Sequence, residues 1–498
     1  MAYQRKGYRK GYNKGYRSQE VKPVVRIQKN WSSFQKAIFE EIANGTGNLN
    51  VDALAGTGKT STIIEGFYHV PQGKSVLMVA FNKSIQIELK NKAPSNVDVF
   101  TLHALGLKAI TKAFGKIEVD KIKLEGYIRA SIGDETETLE LRKNLSKAVS
   151  LSKGYLADTS EKIKEVFLKH DVDFCDKSED EFIVLVLKLM EDTKKDTARI
   201  DFDDMIWFPA VYNLNPQKYD FVFVDEAQDL NLAQIDLALR SVQANGRIIS
   251  VGDEFQAIYQ FRGADENAVQ NIIDRLNSKR LPLSVTYRCG KSIVREAQQY
   301  VPEYEAYKDN PEGHVEYTNL DKMKREAKAG DFILSRVNAP LIKLCMYFLK
   351  DNRKANIQGR DIGKNLLWMI KKSKAKDVVE LLQWVQEWRY RECEKYAKLN
   401  RTNIVEIISD KAEMIENLCE GAIDLKEVKS NIERLFHDGD DDKDRIILSS
   451  IHKSKGLERD RVWVLINTLR LNSNKEETNL AYVAITRAIS SLYYVKTK

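Results

Sequence analysis

Apolar residues along this chain follow two alternating rhythms. From Trp31 the segment WSSFQKAIFEEI spaces its apolar positions three and four apart behind a serine, which predicts an amphipathic helix with an N-cap. LNVDAL (49–54), SVLMVAF (75–81) and VDVFT (97–101) are short apolar runs of strand length, separated by helical stretches. DFVFVDE (220–226) and RIISVG (247–252) continue the series. Strands alternating with helices predict a parallel sheet covered by helices, an α/β fold.

Between about 107 and 200 the strand signal fades and a charged, helix-period stretch takes over, which predicts a helical insertion in the first α/β unit. A second α/β unit is expected over 281–498, with DFILS (331–335), RIILSS (445–450), RVWVLI (461–466) and SLYYV (491–495) as strands. It too is interrupted, at about 340–440, by helical sequence that includes LLQWVQEW and closes on the acidic turn HDGDDDKD. The expected layout is a first core over 29–280 and a second over 281–498, each with a mainly helical insertion. Residues 1–28 contain a crude Lys/Arg–Gly–Tyr repeat without aliphatic side chains, which predicts a disordered basic tail. Its cations suit phosphates and its tyrosines suit stacking on bases.

Composition changes this picture little. A 43% hydrophobic share fits globular cores, and a net charge of +7 is too mild to name a polyanionic partner by itself. Five scattered cysteines with no CxxC pair argue against zinc, an iron–sulfur cluster or a disulfide framework. No run approaches the roughly 20 apolar residues that span a bilayer, and no secretory h-region is present. No membrane partner is expected, and the expected location is the cytosol of a bacterium or a phage-infected host.

Candidate chemistry changes the picture most. ALAGTGKTS (53–61) lies between a strand run and a helix run and approximates the phosphate loop GxxxxGK[ST], with Ala53 at the first glycine position. Gly56 and Gly58 let the backbone close on phosphate oxygens, so Ala53, Ala55, Gly56, Thr57, Gly58, Lys59, Thr60 and Ser61 form the candidate nucleotide cradle. Lys59 would reach the terminal phosphates and Thr60 would hold Mg²⁺. FVFVDEAQD (221–229) carries Asp225 to the tip of an apolar strand as the second Mg²⁺ holder, with Glu226 placed to orient and deprotonate water. ATP and Mg²⁺ are therefore the expected cofactors.

DEAQD, VGDEFQAIYQFRGA (251–264), VTYRCGKSI (285–293), SSIHKSKGLE (449–458) and AYVAITRA (481–488) resemble, in order, the motifs of UvrD/Rep-type superfamily 1 helicases. FQKAI (34–38), VAFNKSIQIEL (79–89), FTLHALG (100–106) and DFDDMIW (201–207) extend the resemblance upstream, so it covers both α/β units but neither insertion. It implies two RecA-like cores, P-loop NTPase in type, with ATP in the cleft between them. It implies that Gln35 reads adenine, Tyr287 stacks on it and Glu458 lies near the ribose. Gln256 would sense the γ-phosphate, and Arg288 and Arg487 would enter from the second core as arginine fingers. Phe81, Tyr259 and Phe261 would stack on bases, and Asn82, Thr101, His103, Arg262 and His452 would contact the polymer backbone.

The implied activity is ATP-driven 3′→5′ movement on single-stranded DNA with unwinding at single-strand/duplex junctions. The second insertion is short for the family, which keeps open a translocase that strips proteins and unwinds little. A nucleotide-switched binding protein is the third reading, opposed by the presence of Glu226 together with both arginines. The compact size and the tail suggest a phage-encoded member.

Overall fold

The computed structural model describes residues 30–135, 138–170, 172–258, 268–398, 401–436, 444–471 and 474–497. The expected N-terminal tail, the acidic turn 437–443, Tyr259, Phe261 and Arg262 lie outside the described residues.

The first sheet uses β1 (Leu49–Ala53), β2 (Val76–Ala80) and β3 (Val97–Thr101). A small ladder of β4 (Glu118–Val119) and β5 (Arg199–Ile200) ties off the first insertion. β6 (Tyr219–Val224), β7 (Val242–Gly252) and β8 (Lys279–Leu283) complete the sheet in the order β3-β2-β6-β7-β1-β8, every pair parallel. The residues explain the topology. β2 is buried along its whole length and β6 nearly so, as expected of strands covered on both faces.

β9 (Val285–Thr286) and β10 (Glu305–Ala306) form a two-stranded ladder at the passage between cores. The second sheet contains β11 (His314–Asn319), β12 (Phe332–Ser335), β13 (Ala355–Ile357), β14 (Ile446–Ser450), β15 (Arg459–Leu465) and β16 (Ala488–Lys496). Its order is β11-β16-β15-β12-β14-β13, again parallel throughout. Both α/β cores and their parallel sheets are thus as expected.

Two boundaries shift. The chain change expected at 280/281 falls inside β8, which pairs with β1 and belongs to the first sheet. β13 lies within the stretch 340–440 read as helical, yet it pairs with β14 as an edge of the second sheet. Helical insertion proper begins after it, with the helices Arg360–Ser373, Val378–Lys398, Thr402–Cys419 and Leu425–Leu435.

The first insertion is anchored by a buried ion cluster. Helix Phe202–Val211 starts at Asp201 with a capping box closed by Asp204. Lys123 Nζ and Lys153 Nζ each donate to a different oxygen of Asp204 at 2.7 Å, with all three side chains at most 1% exposed. Lys123 also donates to the carbonyls of Thr193 and Asp196. Removing one partner of such a cluster strands the others in low dielectric. Asp204→Ala is expected to cost about 3–5 kcal/mol in urea unfolding. A loss below about 1 kcal/mol would show that water reaches the two lysines.

The two insertions also touch. Tyr396 Oη donates to Asp173 Oδ2, Lys395 Nζ lies 3.5 Å from the same carboxylate, and Arg401 donates to the Val172 carbonyl. Lys143 Nζ sits 3.6 Å from the centre of the Trp368 ring.

Candidate nucleotide site and polymer face

Sites in parallel α/β sheets gather at the carboxyl ends of strands. Here β1 runs into the phosphate loop, β6 into Asp225 and Glu226, and β7 into Asp253 and Gln256. These three strands are neighbours, β6-β7-β1. β2 and β3, on one side of them, end at Phe81–Asn82 and at Thr101–His103. The order of the sheet therefore separates the candidate nucleotide residues from the candidate polymer residues by strand position.

The loop bends where only glycine bends freely. Gly56 and Gly58 take φ of +69° and +84°, and helix Lys59–Phe67 begins immediately after Gly58. A Cβ at Gly56 would lie 2.6 Å from Arg288 Cβ and 2.6 Å from Thr286 Oγ1, so the chain passes directly under the interdomain segment. Tyr287 N–H donates to the Gly56 carbonyl at 2.9 Å. Thr57 Oγ1 donates to the Leu54 carbonyl, and Lys59 Nζ donates to the Ala53 carbonyl at 3.1 Å. Gln35 caps the helix Ser33–Asn44 in a capping box with Ser32. Its Nε2 donates to Thr62 Oγ1 at 2.9 Å, which docks it on the helix that follows the loop. Ala55 meets the second core through two tyrosines: Tyr482 Oη accepts from its N–H at 3.0 Å, and Tyr304 Oη donates to its carbonyl at 2.9 Å.

Beside the loop, four carboxyl groups gather: Asp225, Asp229 and Asp253 are buried, and Glu226 is half-buried beside them. Burial and the neighbouring Glu226 charge push Asp225 up to about 7. Burial pushes Asp229 up to about 6 against the pull of Lys455, and it raises Asp253 as well. Burial would raise Glu226 too, but the charges of Lys59, Lys455 and Arg487 and a hydrogen bond from Gln228 outweigh it and hold Glu226 below its ordinary value. Glu226 takes a left-handed backbone, φ +50°, which turns the chain sharply at the strand tip.

This electrostatic arrangement is the test of fit for the expected cofactors. A carboxyl as desolvated as Asp225 gains from a hard cation beside it, and Thr60 with Asp225 is an all-oxygen donor pair of the kind Mg²⁺ takes. The positive helix end after Gly58 and the Lys59 ammonium suit an anion. The residues fit a Mg²⁺-bound nucleoside triphosphate.

The cleft is bridged from the second core. Arg487, 1% exposed, donates through Nη2 to Gln256 Oε1 at 3.3 Å, and through Nε and Nη1 to the carbonyls of Val483 and Leu457. Burial, then repulsion from Arg288, pushes its guanidinium down to about 10, still charged at neutral pH. Gln256 Nε2 in turn donates to Asp253 Oδ2 at 2.6 Å. Arg288 donates to the Thr486 carbonyl and forms an ion pair with Glu458. Tyr287 is partly exposed, its ring tilted against Tyr307 at 4.9 Å.

Several residues in this arrangement escape a reading of the motifs. Lys455 Nζ donates at 2.7 Å to both oxygens of Asp229 and to the Gln256 carbonyl, a second ionic bridge across the cleft. The basic spacing of HKSK, three residues beyond His452, was its only signal. Tyr304 and Tyr482 carry the sequence signature of core aromatics.

On the polymer side, Phe81 is 40% exposed. Asn82 and Thr101 use their side-chain oxygens to cap the helices Lys83–Lys92 and Leu102–Phe114. Burial lowers the His103 imidazole, with Asp203 opposing. Its ring meets Phe202 edge-on at 6.0 Å. Phe202 itself is exposed, an aromatic between two acids that the motif DFDD did not mark as functional. Trp207 is core. His452 follows β14 in the turn Ile451–Ser454, on the second core.

Comparison with known proteins places this geometry. Residues 34–277 match the UvrD/REP helicase N-terminal domain, a span that includes five strands of the first sheet and its insertion. The matched span is a UvrD/Rep-type helicase N-terminal domain, and the chain as a whole is similar to UvrD/Rep-type helicases of superfamily 1. It is 27% identical to the F-box DNA helicase protein 1 of Schizosaccharomyces pombe over 92% of this chain and 57% of that protein. It is 24% identical to the ATP-dependent DNA helicase PcrA of Bacillus subtilis over 53% of this chain and 38% of that one. With the ATP-dependent DNA helicase Rep of Buchnera aphidicola it shares 23% identity over 93% of this chain and 94% of the relative. The chain spans about half the length of the first two of these relatives. Against Rep, the match extends beyond the first core into the second.

Proposed function

We propose that this chain is an ATP-driven motor that moves 3′→5′ on single-stranded DNA and opens duplex at junctions. One observation carries the reading: Arg487 of the second core donates to Gln256, which the first core holds against Asp253 beside the phosphate loop. A guanidinium delivered from one core to a phosphate-sensing turn on the other is what a closing cleft needs. The names of the relatives, ATP-dependent DNA helicases among them, support the same reading.

In this reading Gln35 and Tyr287 hold the adenine, and Glu458, paired with Arg288, lies on the ribose side. The loop from Ala53 to Ser61 cradles the phosphates, with Lys59 against the outermost. Mg²⁺, held by Thr60 and Asp225, would neutralise phosphate charge. Glu226, kept deprotonated by the cations around it, takes a proton from the attacking water. Arg288 and Arg487 spread the charge that develops on the transferring group. Loss of the terminal phosphate removes the anion they share with Lys59 and lets the cores part. Each closing and parting is a step along the polymer.

Phe81 and Phe202 stack on bases, joined by Tyr259 and Phe261, while Asn82, Thr101, His103, Arg262 and His452 meet sugar and phosphate. Stacking is indifferent to sequence, which suits a motor.

Strand displacement on partial duplexes tests this directly. Duplexes with a 3′ overhang are expected to open in the presence of ATP and Mg²⁺, and those with a 5′ overhang to remain closed. Equal opening of both, or ATPase activity that single-stranded DNA does not stimulate, overturns the reading. The smallness of the second insertion, four helices between Arg360 and Leu435 among the described residues, favours one other outcome. In it, ATP-dependent removal of bound protein from single strands proceeds with little unwinding, and a displacement assay run in parallel separates the two.

A further inference from the structure

Helix Lys475–Ile485 of the second core presents one face to the first core. Asn479 Nδ2 donates to the carbonyls of Glu254 and Ala257, each at 3.1 Å, and so holds both ends of the Gln256 turn. One turn later, Tyr482 Oη accepts from Ala55 N–H. Arg487, just beyond the helix, reaches Gln256 itself. One element thus grips both the γ-phosphate-sensing turn and the phosphate loop.

The grip on the loop is two-sided. Ala55 is a single peptide unit whose N–H goes to Tyr482 and whose carbonyl goes to Tyr304, a residue from a different part of the second core. Both phenols are completely buried, their rings edge-to-face at 5.7 Å, and burial keeps both hydroxyls protonated. Leu54 and Ala55 pack into the hydrophobic core that contains Tyr304, Tyr482, Val483 and Ile293, all of the second domain. The front half of the loop is therefore seated in one core and its back half, from Gly58 into the helix, in the other.

We propose that Tyr482 and Tyr304 are positioning residues of the nucleotide site: their hydroxyls hold the Ala55 peptide, and with it the shape of the phosphate loop, only while the two cores are closed. The proposal rests on the reading of the cleft as a motor site and adds to it a direct wire from closure to the loop, separate from the arginines. When the cores part, Ala55 loses both partners to water and the loop is free to change shape. When they close without a hydroxyl in place, one backbone group of Ala55 is buried unpaired, and closure alone bears the cost.

The test removes single oxygen atoms. Tyr482→Phe and Tyr304→Phe keep ring packing and delete the hydroxyls. In the full chain, saturated with single-stranded DNA, each is expected to lower kcat for ATP about tenfold while KM changes less than twofold, because initial binding does not need closure. Tyr494→Phe is the control: its hydroxyl bonds Glu296 entirely within the second core, and both constants are expected to hold. Hydrogen exchange supplies a readout independent of hydrolysis. The peptide spanning 53–58 is expected to be protected in the wild type and to exchange at least tenfold faster in either variant.

Unchanged kcat in both variants, a rise in KM with kcat intact, or the same losses in Tyr494→Phe overturns the proposal. If the wild type hydrolyses no ATP, the motor reading falls, and exchange at 53–58 still decides whether the hydroxyls hold the loop.

Discussion

Lys59→Ala is expected to lower DNA-stimulated ATP turnover at least about a hundred- to a thousandfold, the usual effect of deleting one preorganised donor to developing negative charge. The argument is wider than a lost phosphate contact. Lys59 lies near enough to lower the pKa of Asp225, Glu226, Asp229 and Asp253 together. Without it, these carboxyls lose a shared counter-charge, and Glu226 rises toward protonation, where it can no longer accept from water. Both effects act in the same direction on turnover. Phosphate release with and without single-stranded DNA, measured beside the melting temperature, checks this. Retained stimulation by DNA in a folded Lys59→Ala protein would remove the loop from the reaction.

Arg487→Ala carries the other large effect. Arginine fingers contribute about 10³–10⁵ in turnover, and Arg487, the finger of the proposed reading, is also the donor that holds the side-chain oxygen of Gln256 across the cleft. Its loss is expected to lower kcat by at least about a thousandfold with KM for ATP little changed. Arg487→Lys is expected to recover little. An ammonium keeps the charge but cannot span Val483, Leu457 and Gln256 from one planar fork. A turnover within tenfold of wild type in either variant would assign the finger to Arg288 alone. The two variants also separate the halves of the site, since Lys59 belongs to the first core and Arg487 to the second.

Much of this was legible in the chain because parallel sheets bury their strands on both faces. VLMVA and FVFV read as strands for that reason, and motif residues at their ends mark the site. What escaped was at the edges. β8, KRLPL, is an edge strand with two cations and a proline, paired with β1 alone among the described residues, and nothing in such a sequence says which sheet it joins. β13 is three residues long, and its identity comes from its neighbour β14 rather than from its own pattern. Among site residues, those that bend or charge the backbone stand out in sequence: Gly56, Gly58, Lys59, Asp225. Of those that act across the cleft, Arg288 and Arg487 are marked only by the resemblance of their motifs, and Tyr304, Tyr482 and Lys455 are not marked at all. A buried tyrosine that bonds Ala55 looks, residue by residue, like a buried tyrosine that bonds nothing beyond its own core, and Lys455 finds Asp229 only once both cores are folded together.

The contact between the two insertions has a mechanical consequence. Each insertion is continuous with its own core, the cores meet at the cleft, and the insertions meet through Asp173, Tyr396, Lys395 and Arg401. Four bodies joined in a circuit form a closed linkage, which has fewer independent motions than two bodies on a tether. The cleft cannot widen by a simple hinge without shearing or parting that distant joint. Its stiffness is partly ionic and so falls with added salt.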